Sequence, residues 1–416
     1  MSPDEIAAAR RRLCDAGAAL RRRPASRTLD ALVRVVDGWC DPASPWRARL
    51  ERELPAATGF TAPVVAEGLA RGLEPWSGAA LRDVARSELE AVVRPGTPTL
   101  VAGFDLTSVL LAGAIPTPTL LALLLPLVIH SPVLARTSAR DPLTARLVAD
   151  SIHEMDSQLG DCVEVVSFPS DDLACSNELL RADCVVASGS DETIAAIRGR
   201  LRPSQRLVAY GHRCSLAVLG PGATRDTSLA DVADRLALDT ALWDQLGCLS
   251  PVAVYVVDPE AGSAERVAGA LAGALGALEK DLPRGEIETA AAAAIARERA
   301  EAEMRGAAVH RSEGTQWSVV LEADAGWRPA PLHRFLHVHP VADTGALFEA
   351  IAPLAPHLAA VALEGFGDDD ALAQTLAIFG ASRVCRAGRM QAPPLGWHHD
   401  GQPLLLPLAR IGDLET

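Results

Sequence analysis

Lysine is almost absent. Of the 39 Lys+Arg residues one is a lysine, Lys280. No Gly-x-x-x-x-Gly-Lys loop exists, which excludes a P-loop nucleotide hydrolase. Schiff-base chemistry would fall to Lys280, at the polar end of an Ala/Gly/Leu helix, a poor place for a desolvated amine. Aromatic residues make up 4% of the chain, too few for a base-stacking platform. Positive charge is in deficit, with a formal net charge of −14, so the basic footprint that nucleic acids require is missing. What the chain does have is a 49% hydrophobic share over 416 residues, enough to bury a large core in two or three domains.

Eight cysteines stand at positions 14, 40, 162, 175, 184, 214, 248 and 385 with no Cys-x-x-Cys pair. Their irregular spacing matches neither a zinc knuckle nor a disulfide framework. The acidic opening Met-Ser-Pro-Asp-Glu has no apolar run behind it, so a reducing, cytoplasmic setting is expected. Leu106–Ala135 carries no charge and is long enough to span a bilayer. Pro116, Pro118, Pro126 and Pro132 interrupt it, and a buried helix followed by a buried strand accounts for it, so no membrane span is expected.

Residues 1–95 read as a helical N-terminal region, with two Arg triplets, Arg10–Arg12 and Arg21–Arg23, on solvated helix ends. From Thr97 strands alternate with helices. Thr99–Gly103 reads as a strand, Leu106–Leu125 as a broken helix and Val133–Thr137 as a strand. Asp141-Pro142 opens a helix, and Val163–Phe168, Cys184–Ala187, Arg206–Tyr210 and Ser215–Leu219 read as further strands. Strands separated by helices imply βαβ units and a parallel sheet, here a nucleotide-binding domain over 96–220. Ser228–Leu246 reads as one long helix. Further strands at Val252–Val257, Trp317–Leu321, Phe335–Val338, Val361–Leu363 and Arg383–Cys385 make a second α/β domain over 221–392, followed by a C-terminal segment, 393–416.

Three segments stand out for their chemistry. Ala187-Ser188-Gly189-Ser190-Asp191-Glu192-Thr193 joins a buried strand to a helix; Gly189 and Ser190 would let backbone amides approach a pyrophosphate, or Asp191 and Glu192 simply serve the helix start. Arg136-Thr137-Ser138-Ala139-Arg140 follows a strand's C-terminal end, where ligands bind in open α/β sheets and where an arginine can fork onto a ribose phosphate; an ordinary solvated loop is the alternative. Gln245-Leu246-Gly247-Cys248-Leu249-Ser250-Pro251 presents a cysteine on a sharp hinge, either a nucleophile or a small buried hydrophobe. His333, His337 and His339, with His398-His399-Asp400, offer imidazoles, but no zinc-type spacing accompanies them and no metal is expected.

The Gln245–Pro251 segment resembles the active-site segment of the LuxC-like acyl-CoA or acyl-protein reductases. These are the fatty-acid reductase component of bacterial luminescence, within the aldehyde dehydrogenase superfamily. Trp39-Cys40-Asp41-Pro42, Ala57-Thr58-Gly59-Phe60, Ser188–Thr193, Tyr210–Ser215, Leu238–Gln245, Gly388-Arg389-Met390-Gln391 and Trp397-His398-His399-Asp400-Gly401 resemble other parts of that family, in order, over roughly residues 30–415.

The resemblance implies an aldehyde dehydrogenase-like α/β fold: a doubly wound nucleotide-binding domain, an α/β catalytic domain and a helical N-terminal region, with the active site between domains. It implies that Cys248 takes an acyl group from a thioester and that a nicotinamide reduces the acyl-cysteine to aldehyde. Arg136 replaces the family lysine and favours NADPH, with Gly189, Ser190, Ser138 and Gly103 as further cofactor-binding positions. His399, or else His212, is the expected proton carrier, since an imidazole titrates near ~6.5. The expected partners are an acyl thioester, an acyl-protein synthetase or carrier protein, and further copies of the chain in a homo-oligomer. Two departures stand out. The family's Gly-Asn pair after the first strand reads Gly103-Phe104, which removes an oxyanion donor, a change that costs ~10²–10³ in rate. Tyr210 stands where hydrolytic dehydrogenases carry a glutamate, which suits an enzyme that must not hydrolyse its thioester.

Overall fold

The computed structural model describes residues 1–93, 99–258 and 260–414, so the expected boundary at 95/96 lies outside the described residues, as does the end of the 393–416 segment. The strands are β1 (Thr99–Gly103), β2 (Thr107–Leu110), β3 (Val133–Arg136), β4 (Val163–Val166), β5 (Cys184–Ser188), β6 (Arg206–Tyr210), β7 (Cys214–Leu219), β8 (Pro251–Val257), β9 (Ala308–Arg311), β10 (Ser318–Leu321), β11 (Phe335–Val341), β12 (Leu358–Glu364), β13 (Arg383–Cys385) and β14 (Ala409–Asp413). The described chain divides into two compact units. One comprises 1–58, 72–212 and 394–416; the other comprises 59–71 and 213–393. Residues 1–58 and 72–93 of the N-terminal helical region and the C-terminal segment join the unit that holds β2–β6, whereas residues 59–71, most of the helix Ala62–Leu73, join the other.

In the first unit β4-β3-β2-β5-β6 form a fully parallel sheet. The chain runs outward from β2 to β4, then returns and runs the other way through β5 and β6. The order therefore reverses between β2 and β5, and in open parallel sheets the carboxyl ends of the strands at such a reversal are where ligands bind. β2 is buried at every position and β5 at all but its last, as central parallel strands with covered faces must be. The helices Ala25–Cys40 and Pro45–Thr58 pack on the helix Thr144–Met155. Buried Trp39 donates its indole N–H to Ser151 Oγ at 2.9 Å, and Arg23 forks onto Asp156 (3.1 and 2.5 Å).

Three expectations are corrected here. Leu106–Leu125 is not one broken helix: it is strand β2, a turn, and a buried helix Pro116–Val128 with Pro116 at its first position. A continuous apolar run has no period that separates strand from helix, and pairing with β3 and β5 decides it. β1 is a strand, but not of the parallel sheet; it pairs antiparallel with β14, Gly103 opposite Ala409. The helix expected from Asp141-Pro142 begins at Thr144, because the Asp141 carboxylate accepts the backbone N–H groups of Leu143 (3.0 Å) and Thr144 (2.9 Å) and holds a turn first. No helix among the described residues is long and apolar enough to cross a membrane.

The second unit holds a seven-stranded sheet, β13-β12-β7-β8-β11-β10-β9, parallel except for β9. β7, expected with the nucleotide-binding strands, pairs here with β8 and β12. β8 and β12 are buried at every position, and the helices Asp226–Ala241 and Ser263–Leu278 pack side by side. The helix expected over Ser228–Leu246 stops at Ala241. Trp243, Asp244 and Gln245 then take left-handed backbone angles (φ 53°, 50° and 63°). Such angles are costly for residues with side chains, so surrounding contacts must hold them.

Candidate functional site

Cys248 is exposed, three residues before β8, on the turn that this left-handed run introduces. None of the eight cysteines is in a disulfide. The turn is held from several sides within its own unit. Gln245, fully buried, donates through Nε2 to the carbonyls of Pro251 (2.7 Å) and Phe335 (2.8 Å) and accepts the Phe335 N–H at 2.7 Å. Asp244 receives Arg334 Nε (3.1 Å) and Nη2 (2.7 Å) on one oxygen and the Gly285 N–H (3.0 Å) on the other. Arg334 in turn donates Nη1 to Glu279 (2.8 Å) and to the Leu282 carbonyl (2.7 Å). Arg334 ends a second left-handed run, Leu332, His333 and Arg334 (φ 66°, 59° and 68°). Two strained triplets are thus bolted to each other by a buried ion pair.

Trp243 fills the space beneath. Its ring meets Phe60 edge-on at 5.5 Å, and a Cβ at Gly68 would lie 2.5 Å from it. Ser215 of β7 donates to the Cys248 carbonyl at 2.6 Å and accepts the Ala360 N–H at 3.0 Å. Gln391 donates to Ser250 Oγ at 2.7 Å and to the Asp239 carbonyl at 3.3 Å, while the Asp239 carboxylate accepts the N–H groups of Gly388 (2.6 Å) and Met390 (3.1 Å). The motifs 238–245, 245–251 and 388–391 therefore meet around one turn. Ser215, Asp244, Gln391 and Arg334 were not singled out individually from sequence. The first three lie inside motifs that carried the resemblance; Arg334 lies in none of them.

In the first unit, β5 ends at Ser188 and the turn Gly189-Ser190 leads into the helix Asp191–Arg198, at the strand-order reversal. Ser190 is extended and caps the helix, its Oγ accepting the Thr193 N–H at 3.3 Å. A Cβ at Gly189 would press on Thr193 at 3.1 Å. Asp191 accepts the His212 backbone N–H at 2.8 Å, so its carboxylate ties the end of β6 to this turn.

Arg136, at the end of β3, is half-buried. It donates Nε and Nη2 to the Phe168 carbonyl (3.3 and 3.2 Å) and lies 5.1 Å over that ring, and burial holds its pKa below the ordinary arginine value. Ser138 accepts the Arg140 N–H at 3.1 Å. Gly103 is placed differently from the expectation. It lies in the β1–β14 ribbon, where a Cβ would meet the Ile129 carbonyl at 2.3 Å, so close packing requires it. Phe104 is buried under the Arg410 guanidinium at 4.7 Å. The first strand of the parallel sheet is β2, and the pair that follows it is Gly113-Ala114, with Gly113 left-handed (φ 78°). Gly103-Phe104 therefore does not follow the first strand of the parallel sheet.

His399 and His212 both belong to the first unit, and Cys248 to the second. His212 is exposed. His399 stacks on the Tyr210 ring (4.5 Å, 18°), meets Trp397 at 5.0 Å, and its Nε2 lies 3.8 Å from the Asp400 carboxylate. Burial pushes the Tyr210 hydroxyl up to about 12, reinforced by the nearby carboxylates of Asp400 and Glu88, so it stays protonated.

His337 and His339 are held by structural contacts. His337 and His339 share a face of β11, buried; His337 Nδ1 pairs with Glu322 (2.9 Å) and His339 Nδ1 with the Asp324 carbonyl (2.9 Å). Glu298, Glu322 and His337 bring ligand atoms within 4.8 Å of one another, but Arg305 donates to both carboxylates (2.8 and 2.7 Å), so guanidinium already supplies the positive charge. A cavity of about 590 Å³ opens at the carboxyl ends of β8, β10 and β11; Cys248 precedes β8 at its amino end, so the cavity does not mark the thiol.

Solved structures with this architecture include aldehyde dehydrogenases. A benzaldehyde dehydrogenase from Corynebacterium glutamicum matches all of this chain and 90% of its own at a TM-score of 0.75 and 15% identity. An NADP-dependent glyceraldehyde-3-phosphate dehydrogenase from Bacillus halodurans matches all of this chain and 92% of its own at 0.71 and 15%. At such identity these matches establish an aldehyde dehydrogenase-like fold. Among curated proteins, long-chain acyl-protein thioester reductase 2 of Photobacterium leiognathi is 24% identical over 308 residues, 73% of this chain and 62% of that protein. The corresponding reductase of Aliivibrio fischeri is 26% identical over 238 residues, 56% of this chain and 48% of that protein. The alignments thus span less than two thirds of those relatives. The family model described as acyl-CoA reductase (LuxC) matches residues 21–411, nearly the whole chain, which therefore belongs to the LuxC acyl-CoA reductase family.

Proposed function

We propose that the protein reduces a long-chain acyl thioester to an aldehyde through an acyl-cysteine on Cys248, with NADPH as reductant. The observation that carries this reading is the exposed Cys248 thiol on a turn locked from below, in a chain whose other unit has the strand order of a dinucleotide-binding sheet. The residues at the strand reversal fit a dinucleotide: Gly189 leaves room for close backbone approach, Ser190 caps the helix behind it, and Arg136 and Ser138 sit at the end of the neighbouring strand β3. When bound there, NADPH supplies the hydride.

The chain's own residues do the rest. The Cys248 sulfur forms a bond to the acyl carbon, and the donor thiol leaves with a proton. After reduction the carbon–sulfur bond breaks, the aldehyde departs, and Cys248 regains its proton. His399 is proposed to exchange that proton, with His212 as the alternative; the ring contacts of His399 favour it because they fix the imidazole plane. Ser215 and Gln245 keep the cysteine's backbone in place through both steps.

The test is mass spectrometry after incubation with a long-chain acyl-CoA. An acyl adduct is expected, absent in Cys248→Ala, together with acyl-dependent NADPH oxidation. An adduct that survives Cys248→Ala refutes the nucleophile. The second reading, acyl binding without turnover, is the correct one if the adduct forms and NADPH is never consumed.

A further inference from the structure

The first unit carries a groove of about 480 Å³ that no part of the proposed reaction uses. Arg10, Arg181, Arg200 and Arg202 line it, with Asn177 and Gln205. It lies between the segments that lead into β5 and β6, hence at the amino edge of the five-stranded sheet, opposite the Ser188–Ser190 turn. Four guanidiniums converge there in a chain whose net charge is −14.

Their charge is poorly balanced. Arg10 and Arg181 share one carboxylate, Glu178, at 3.7 and 3.1 Å. Arg200 is held by neutral acceptors, Asn177 Oδ1 at 2.6 Å and, more loosely, Ser176 Oγ and the Leu173 carbonyl, both at 3.5 Å. Arg202 donates its Nε to Gln205 Oε1 at 3.2 Å, and Gln205 is itself anchored on the carbonyls of Leu180 and Ala182, both at 2.6 Å. The Nε of Arg10 is buried with no hydrogen-bond partner. Neutral partners orient these groups without cancelling their charge, which is how a receptor for an anion is built.

From this geometry we infer that the groove is a binding site for a small molecule bearing two or three phosphates. Guanidinium forks match phosphate oxygens, and the volume falls in the range of small-ligand pockets. A small polyanion inside the groove interacts within the ~8 Å screening length, whereas a large acidic protein would also meet the repulsion of the rest of the chain. The inference does not rest on the acyl-reductase reading.

Calorimetric titration of the full chain with inorganic tripolyphosphate, at constant ionic strength against sulfate, tests it. Saturable binding stronger than that of sulfate is expected. Arg200→Gln/Arg202→Gln should weaken it at least about tenfold, and Arg181→Gln, a substitution at an exposed side chain, should weaken it less, while the rate of Cys248 alkylation is unchanged. Binding no stronger than that of sulfate overturns the inference, as does unchanged affinity in both variants. Polyaspartate binding through the same arginines more tightly than tripolyphosphate also overturns it, and would make the groove an acidic-protein surface.

Discussion

Replacing Arg334 by methionine should unsettle the Cys248 turn more than replacing Asp244 by asparagine. Arg334 makes four hydrogen bonds, two to Asp244 and one each to Glu279 and the Leu282 carbonyl. Without it, the Asp244 carboxylate stays buried and is left with the Gly285 N–H. Breaking a buried pair in this way costs about 3–5 kcal/mol. In Asp244→Asn the charge is gone, and Arg334 keeps Glu279 and Leu282. The loss is that of weakened hydrogen bonds, about 1–3 kcal/mol. The two sites are in direct contact, so the double variant should be less destabilised than the sum of the singles, with a coupling of about 0.5–3 kcal/mol. Urea unfolding followed by tryptophan fluorescence measures all three, since Trp243 is itself in the turn. Iodoacetamide alkylation of Cys248 should change in rate in the same order. A cost below about 1 kcal/mol for Arg334→Met, or equal costs for both singles, would show that the ion pair does not hold the left-handed triplets and refute the reasoning.

Gly68→Ala should lower the melting temperature by several degrees, because its Cβ would stand 2.5 Å from the Trp243 ring in a buried pocket; an unchanged melt would mean that the ring is free to move. Acid should destabilise the second unit in two stages. Burial lowers His339 to about 4 from 6.5, so the folded form binds its proton later than the unfolded one, and stability present above pH 6.5 is lost as pH falls towards 4; His339→Gln should flatten that limb of a stability–pH curve. Burial alone would raise Glu322, but hydrogen bonds from His337 and Arg305 bring it down to about 2, so its contribution holds above pH 4.5 and disappears as pH falls towards 2; Glu322→Gln should remove that lower limb. Arg136→Ala should raise KM for NADPH and leave KM for NADH nearly unchanged; equal losses in steady-state kinetics would assign Arg136 to its bonds with Phe168 alone.

Local pattern alone located most strands. Arg206–Tyr210 and Arg383–Cys385 have the bounds that composition suggests, because β-branched and apolar residues there are flanked by clear breaks. The segment around Cys248 was legible for the same reason: Gly247 and Pro251 mark a hinge whatever surrounds them. The sequence also carried the strand–helix alternation, and with it the parallel sheet and the family. Leu106–Leu125 was not legible, since an unbroken apolar run reads equally as helix or strand until β3 and β5 pair with it. Gly103 looked like a ligand-side glycine because the strand before it looked like the first of the sheet; its partner, Ala409, lies about three quarters of the chain further on. The left-handed turn at Trp243–Gln245 was hidden in a helical pattern for a related reason. The groups that hold it, Arg334 and Phe335, are 90 residues away in the chain, and only folding brings the carboxylate of Asp244 and the amide of Gln245 to them. Residue type and spacing decide local conformation, whereas the cost of a strained backbone is met by partners distant in sequence, and those exist only once the sheet has formed.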